Sequence, residues 1–138
     1  MKFLFDNNLS PHLARGIAGL SGIDGARIES VVHLREKFPA NAKDIEWIGL
    51  LSHEEGWVVI SCDHFSKSDE EREVLRQAGL IIFVLDSQWT HHRYWDQAHN
   101  LVRWWPAIVD QADSMTGGAA FRVHWRFTNT KRFEQIRL

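Results

Sequence analysis

Four short apolar runs recur along the chain, KFLF at 2–5, SVVHL at 30–34, WVVIS at 57–61 and LIIFVL at 80–85, with helical patterns between them. None alternates strictly between apolar and polar residues, so each demands cover on both faces, as strands of a parallel sheet do. Ser10 is placed to cap a helix that Pro11 opens, and Leu13, Ala14 and Ile17 give it an apolar side to about Leu20. Gly22 and Gly25 mark the loop that follows. A second helix is expected from near Asn41, with Ile45, Ile48 and Leu51 about a turn apart and Gly56 as its stop. Ser68 to Glu71 fits a capping box for a third, which carries Val74, Leu75 and Ala78 and ends at Gly79. This alternation implies right-handed crossovers and a three-layer α/β/α fold around a mainly parallel sheet.

Past Asp86 the pattern changes. Tyr94, Trp95, Ala98, Leu101, Val102, Trp105, Ile108 and Val109 form a helical stripe expected to pack on the sheet, with a kink or break at Pro106. Gly117 and Gly118 lead to Phe121, Val123, Trp125 and Phe127, alternating with Arg122, His124 and Arg126 as a half-buried edge strand does. A chain of 138 residues, 44% hydrophobic and 25% charged, fits one domain, with a core over about 1–90 and a helix-and-strand extension over about 89–138.

Composition narrows the function classes. The lone cysteine, Cys62, excludes an internal disulfide and zinc sites of the CxxC kind. The opening MKFLFDNNLS is too short an apolar run for a signal core or a membrane span, so the expectation is a cytoplasmic protein with no membrane partner. A net charge of −2 gives no global attraction to nucleic acid, and such a partner needs a local basic patch or a bound cation.

Ligands of open α/β sheets bind at the carboxyl ends of the strands. Asp6 follows the first run, Asp63 follows WVVIS with one residue between, and Asp86 follows LIIFVL. Asp44 reaches the same edge by another route, because the helix after a strand begins there and Asp44 lies in its first turn. Turn and cap roles would explain each acid singly: Asp6 in the DNN turn, Asp44 in a helix capped by Asn41, Asp86 before Ser87. Turn chemistry does not explain why Asp6, Asp44 and Asp63 share one edge. Clustered carboxylates repel unless a cation neutralises them, and hard oxygen donors suit Mg²⁺ or Mn²⁺. The chemistry implied is phosphodiester hydrolysis.

The segments KFLFDNNLSPHLA, VVHLREKFPANAKDIEWI and GWVVISCDHFSK, in this order over roughly residues 1–90, resemble the PIN-like nuclease domains of prokaryotic VapC-type toxins. The resemblance implies a single PIN-like domain in which Asp6, Asp44 and Asp63 bind Mg²⁺ or Mn²⁺ for RNA cleavage, with Ser61 at the small hydroxyl position before the last acid. It also implies a toxin–antitoxin role, with RNA as substrate and a cognate antitoxin as partner, and the aromatic and basic surfaces after Trp89 leave room for that antitoxin or for a homodimer. Phe65 stands where many relatives carry another aspartate, which predicts a thinner metal shell. Glu46 is the alternative to Asp44, although its spacing from Ile48 and Leu51 puts it on another face. Asn7 and Asn8 are placed to orient the Asp6 loop or touch phosphate, and Asp86 is an outer-shell candidate.

Other residues carry weaker expectations. His33, Arg35, Lys37, His64 and Lys67 sit where substrate phosphates would lie, with Arg35 or Lys67 offsetting phosphate charge. His92, Asp96 and His99 share a helix face that reads as solvated rather than metal-binding. Arg122, Arg126, Lys131 and Arg132 form a second basic patch for RNA or an acidic partner. Of seven tryptophans, Trp47, Trp57, Trp95, Trp105 and Trp125 occupy core-like positions, while Trp89 and Trp104 are freer to stack on a base or form an interface. Two rival classes stand beside the nuclease. One is a phosphoacceptor domain with Asp63 as acceptor, which needs an acid paired with Asp6 and a lysine after a fifth parallel strand. The other is a non-catalytic PIN-like binding module, which Phe65 favours.

Overall fold

The apolar runs become β1 (Lys2–Phe5), β2 (Ser30–His33), β3 (Trp57–Ser61) and β4 (Ile81–Leu85), to which β5 (Ala119–Val123) and β6 (Glu134–Ile136) are added. A computed structural model describes residues 1–63, 65, 69–128 and 132–137. The strands form one sheet in the order β2-β1-β3-β4-β5-β6, parallel throughout except for the antiparallel β5–β6 pair. The expected α/β architecture with a mainly parallel sheet is therefore what the chain adopts. Connections leave β1 toward β2 on one side and then return to β3 on the other, so the order reverses between β1 and β3. At such a reversal the loops part and open a crevice at the carboxyl edge.

The helices are α1 (Pro11–Ser21), α2 (Leu34–Lys37), α3 (Asp44–Leu51), α4 (Asp69–Ala78) and α5 (Tyr94–Asp113). Ser10 caps α1 as expected, its hydroxyl accepting from the His12 N–H at 3.1 Å. Successive strand side chains face opposite ways. Phe3, Phe5, Val58, Ile60 and Phe83 therefore pack with Leu13 and Ile17 of α1 and with Leu101, Trp104 and Ile108 of α5. Leu4, Val59, Ile82 and Val84 meet Trp47, Ile48 and Leu51 of α3 and Leu75 of α4 on the other face.

Several details differ from the sequence-based expectations. The second helical region is split, with α2 directly after β2 and α3 beginning at Asp44 rather than near Asn41. Pro106 does not break α5, which runs unbroken from Tyr94 to Asp113. Pro106 lies on the exposed side of that helix, where water can replace the missing backbone partner. The strand expected over Phe121 to Phe127 stops at Val123 and is not an edge, because β6 pairs along its outer side. Trp95 is 79% exposed, whereas Trp89 and Trp104 are buried, at 2% and 1%. Two overlapping stripes on α5 share Leu101, Trp105 and Ile108, and packing on the sheet selects the one that includes Trp104. Ser68 of the expected capping box lies outside the described residues, as do His64, Lys67 and Lys131.

One backbone approach is tight enough to test. A Cβ at Gly118 would lie 2.9 Å from the Cα of Gly79, whose own φ is +65°. Gly118→Ala is expected to cost about 1–3 kcal/mol by forcing two main chains apart. Gly16→Ala, at an open helical site, is expected to gain about 0.5–1 kcal/mol. Urea midpoints of the two variants check this, and a Gly118→Ala midpoint at or above the wild-type value contradicts the close approach.

Candidate metal centre

The first strand delivers Asp6 to the reversal point, where it is 4% exposed. Its Oδ1 accepts the Asn7 N–H at 2.6 Å and its Oδ2 accepts the Ser61 hydroxyl at 2.7 Å. The Ser61 Oγ in turn accepts from Asn8 Nδ2 at 3.2 Å and from the Asp63 N–H at 2.9 Å. One donor and two acceptor positions are thus all used, which fixes the hydroxyl rotor. Asn8 Oδ1 takes the Cys62 N–H at 3.0 Å, closing a polar lattice between the loops after β1 and β3. Asn8 therefore positions the two loops against each other. Asn7 receives Arg35 Nε on its Oδ1 at 2.8 Å, which brings an exposed guanidinium to the Asp6 loop.

Asp63 folds back on its own loop, with Oδ1 accepting the Phe65 N–H at 2.9 Å. Phe65 has φ 52°, the left-handed region that costs a bulky residue energy, and its fully buried ring in the core offsets that strain. The side chain at the expected second-aspartate position is a hydrophobic anchor. Asp44 opens α3, where an acid is favoured by the helix dipole, and its Oδ1 accepts the indole N–H of buried Trp47 at 2.9 Å. Glu46 is committed elsewhere: it accepts the Lys43 N–H at 3.2 Å as the N3 residue of α3.

A third carboxylate completes the cluster, one that the capping-box pattern of Ser68 to Glu71 marks only as a helix cap. One ligand atom from each of Asp44, Asp63 and Glu71 falls within 4.8 Å of the others. Glu71 lies in the first turn of α4 and is 5% exposed. It shares a face with Val74, Leu75 and Ala78 at i+3, i+4 and i+7, and that spacing was the signal available in the sequence.

Asp6 is not within this trio, but it feels two of its members. Burial pushes its proton affinity above the usual carboxylate range, the bonds from Ser61 and Asn7 oppose that, and the negative charges of Asp44 and Asp63 raise it further. Cys62, between the loops, is pushed up to about 11 by burial and then by Asp6 and Asp86, so its thiol stays protonated at neutral pH. Carboxylates gathered in this way form an acidic cluster that could bind a metal ion. The all-oxygen donor set fits Mg²⁺ or Mn²⁺ better than zinc.

The remaining candidates are used in other ways. Asp86 accepts from the Gln88 N–H at 3.0 Å and from the Trp125 N–H at 3.2 Å, tying β4 to the chain beyond β5. His33 is fully buried and does not reach a substrate position. Its Nδ1 accepts the Arg35 N–H at 3.2 Å, so the proton sits on Nε2 and is donated to the Leu9 carbonyl at 2.7 Å. Lys37 pairs with Glu54 at 3.1 Å and Arg122 with Glu134 at 3.3 Å.

The raised proton affinity of Asp6 has a sign that can be measured. The folded protein holds this proton more tightly than the unfolded chain does. The resulting stability is complete below the unfolded carboxylate pKa and is lost as pH rises through the folded one. In EDTA, wild-type Tm is expected to fall relative to Asp6→Asn as pH rises above the ordinary carboxylate range, and Mn²⁺ is expected to restore it. Parallel profiles for the two proteins in EDTA would contradict the assignment.

A parallel sheet whose order reversal carries converging carboxylates defines the class: an α/β domain built around an acidic edge. The family model of the PIN-like domain matches residues 1–87, well over half of the chain, and the protein belongs to that family. No curated protein and no solved structure matches the chain.

Proposed function

We propose that the protein is a metal-dependent endoribonuclease that hydrolyses RNA phosphodiester bonds as the toxin of a toxin–antitoxin pair. The observation that carries this reading is the meeting of Asp44, Asp63 and Glu71 within 4.8 Å at the edge where Asp6 also lies, in a member of the PIN-like family. Asp44, Asp63 and Glu71 would hold Mg²⁺ or Mn²⁺, with Asp6 as a further ligand directly or through water. Bound there, the cation supplies Lewis-acid polarisation of the scissile phosphate and a water of lowered pKa. Ser61 and Asn8 keep Asp6 and Asp63 in register, and the Arg35 guanidinium offsets phosphate charge at the rim. Lys67 serves the same end in this reading, although it lies outside the described residues.

The rival readings find less support. Phe65 anchors the loop, and Glu71 supplies a carboxylate in place of the missing aspartate, which weakens the non-catalytic alternative. A fifth parallel strand exists, but His124 rather than lysine follows β5, and Asn7 rather than an acid follows Asp6. That pattern counts against a phosphoacceptor. For an antitoxin or a second copy of the chain, exposed Trp95 and Val102 on α5, with Leu20 near the end of α1 and Ile23 just beyond it, provide apolar contact surface. No helix among the described residues is long and apolar enough to cross a membrane.

Calorimetric titration with Mn²⁺, followed by cleavage of an RNA panel in Mn²⁺, Mg²⁺ or EDTA, tests the reading. Divalent binding with metal-dependent cleavage is expected. Absence of both would leave only the non-catalytic module.

A further inference from the structure

Seven large hydrophobic residues stand exposed among the described residues, and five of them, Leu20, Ile23, Tyr94, Trp95 and Val102, belong to α1, the turn after it and α5. The other two, Ile45 and Leu50, are on α3. Val102 and the exposed Pro106 follow Trp95 by seven and eleven residues, which at 3.6 residues per turn keeps all three within about 20° of one line along α5. Trp105 Nε1 donates to the Ser21 hydroxyl at 2.9 Å and so holds the end of α1 beside that line. The five residues therefore form one face.

Where α1 and α5 meet, this face carries an apolar cavity of about 230 Å³ lined by Ile17, Leu20, Ile23, Val102, Trp105 and Pro106. Its polar neighbours are already engaged. The Ser21 hydroxyl donates to the Ile17 carbonyl at 2.6 Å while accepting from Trp105, and Arg27 is paired with Asp24 at 2.6 Å and Asp110 at 2.9 Å. An occupant of the cavity is thus selected by apolar contact.

The face holds both parts of a self-complementary contact. Trp95, 79% exposed, projects about two turns before the cavity on the same side of α5. A two-fold axis crossing α5 between His99 and Asn100 sets two copies of the helix antiparallel. Trp95 of each copy then lies over the cavity of the other, and Tyr94 lies toward the other copy's Leu20 and Ile23. The same axis brings Asp96 of one copy opposite Arg103 of the other, because the two residues are equally far from it and share one flank of the Trp95 line. Neither is in an ion pair among the described residues. One placement therefore satisfies the apolar register and the charges together, which favours a second copy over an unrelated protein. The five side chains expose about 600 Å² per copy, as much as the largest patch on a typical monomer. Counted on both copies and given the usual polar margin, the contact reaches the roughly 1,600 Å² of a stable complex.

We infer that the chain forms a two-fold homodimer through this face, with antiparallel α5 helices, Trp95 seated in the partner's cavity and Asp96 paired with Arg103 across the interface. The acid cluster belongs to elements that pack on the other face of the sheet, so both copies keep it open to solvent. The inference stands independently of the ribonuclease reading.

Sedimentation equilibrium in EDTA tests it without any activity. Wild type is expected at twice the mass of one chain, with a Kd in the micromolar range or below. Trp95→Ala is expected to weaken the dimer at least about thirtyfold, as loss of a central tryptophan does, whereas Leu50→Ala on α3 is expected to stay within about twofold. Asp96→Arg and Arg103→Asp are each expected to weaken it, and the swapped double variant to recover part of that loss. Dimerisation adds to unfolding stability only above its Kd, so below that concentration Trp95→Ala and wild type are expected to unfold alike. A dimer indifferent to Trp95→Ala, equal weakening by Leu50→Ala, or a double variant no tighter than the single ones overturns the proposal. A wild-type monomer at about 100 µM also overturns it and leaves the face to a different protein partner.

Discussion

Asp63→Asn lowers metal-dependent RNA cleavage by more than about a hundredfold, and Glu71→Gln does the same, if the acid cluster performs the chemistry proposed for it. Changes in groups that merely support a metal ligand cost about 10–100-fold, so loss of a ligand charge belongs above that range. Asp63→Asn keeps a carbonyl oxygen that can accept the Phe65 N–H, so its loop retains the turn that the carboxylate makes. Removing one of several clustered negative charges also relieves repulsion in the metal-free protein. Its Tm in EDTA is therefore expected at or above the wild-type value, while its affinity for Mn²⁺ falls. Glu46→Gln provides the comparison: Glu46 accepts the Lys43 N–H at the start of α3 and stands outside the cluster. Its activity is expected within about twofold of wild type. Cleavage that is equal in wild type, Asp63→Asn and Glu71→Gln, or that persists in EDTA, sinks the ribonuclease reading.

Trp89→Ala is expected to destabilise the protein by about 3–5 kcal/mol, the usual cost of emptying a fully buried aromatic site. Trp89 sits beneath Trp125, and its indole N–H satisfies the Val123 carbonyl at the end of β5. Truncation therefore opens a cavity and also removes one of the two hydrogen bonds on that carbonyl, which keeps the Asp86 N–H at 3.0 Å. On a chain of 138 residues that corresponds to a fall in Tm on the order of 10 °C. Trp95→Ala removes an indole that is 79% exposed and is expected to change stability by less than about 0.5 kcal/mol. Thermal or urea unfolding of the two variants separates them. Comparable losses would mean that α5 is rotated from the orientation described.

Those two tryptophans mark a limit of sequence reading. On α5 the apolar residues are dense enough to make two stripes, one through Trp95, Ala98 and Val102 and another through Leu101, Trp104 and Ile108. Periodicity cannot choose between them. The choice comes from the sheet, where Phe83 and Phe121 offer apolar surface to Phe133, which touches Trp104. The strand after α5 posed a similar problem. Alternation predicted a half-buried edge from Phe121 to Phe127, but Asp86 and Asn100 capture the backbone at Trp125 and end the pairing at Val123. Neither partner is near in sequence, and no local pattern announces them.

The acidic edge shows the same division. Placement of Asp6 and Asp63 at strand ends, and of Asp44 at a helix start, was legible because strand ends and helix starts of a parallel sheet must share one edge. Glu71 shares its spacing with the apolar face of α4, yet it reads first as a cap, since three consecutive acids, Asp69, Glu70 and Glu71, open that helix and all suit a helix amino terminus. Which of them turns inward depends on how α4 rolls to bury Leu75. By itself, then, the sequence determined the α/β alternation, the edge at which the acids gather and two of the three carboxylates that meet there. The third carboxylate, the inner face of α5 and the link from β4 to the chain beyond β5 were decided by packing. Each depends on contacts between residues far apart in the chain, whose energies exceed the local preferences that a sequence pattern records.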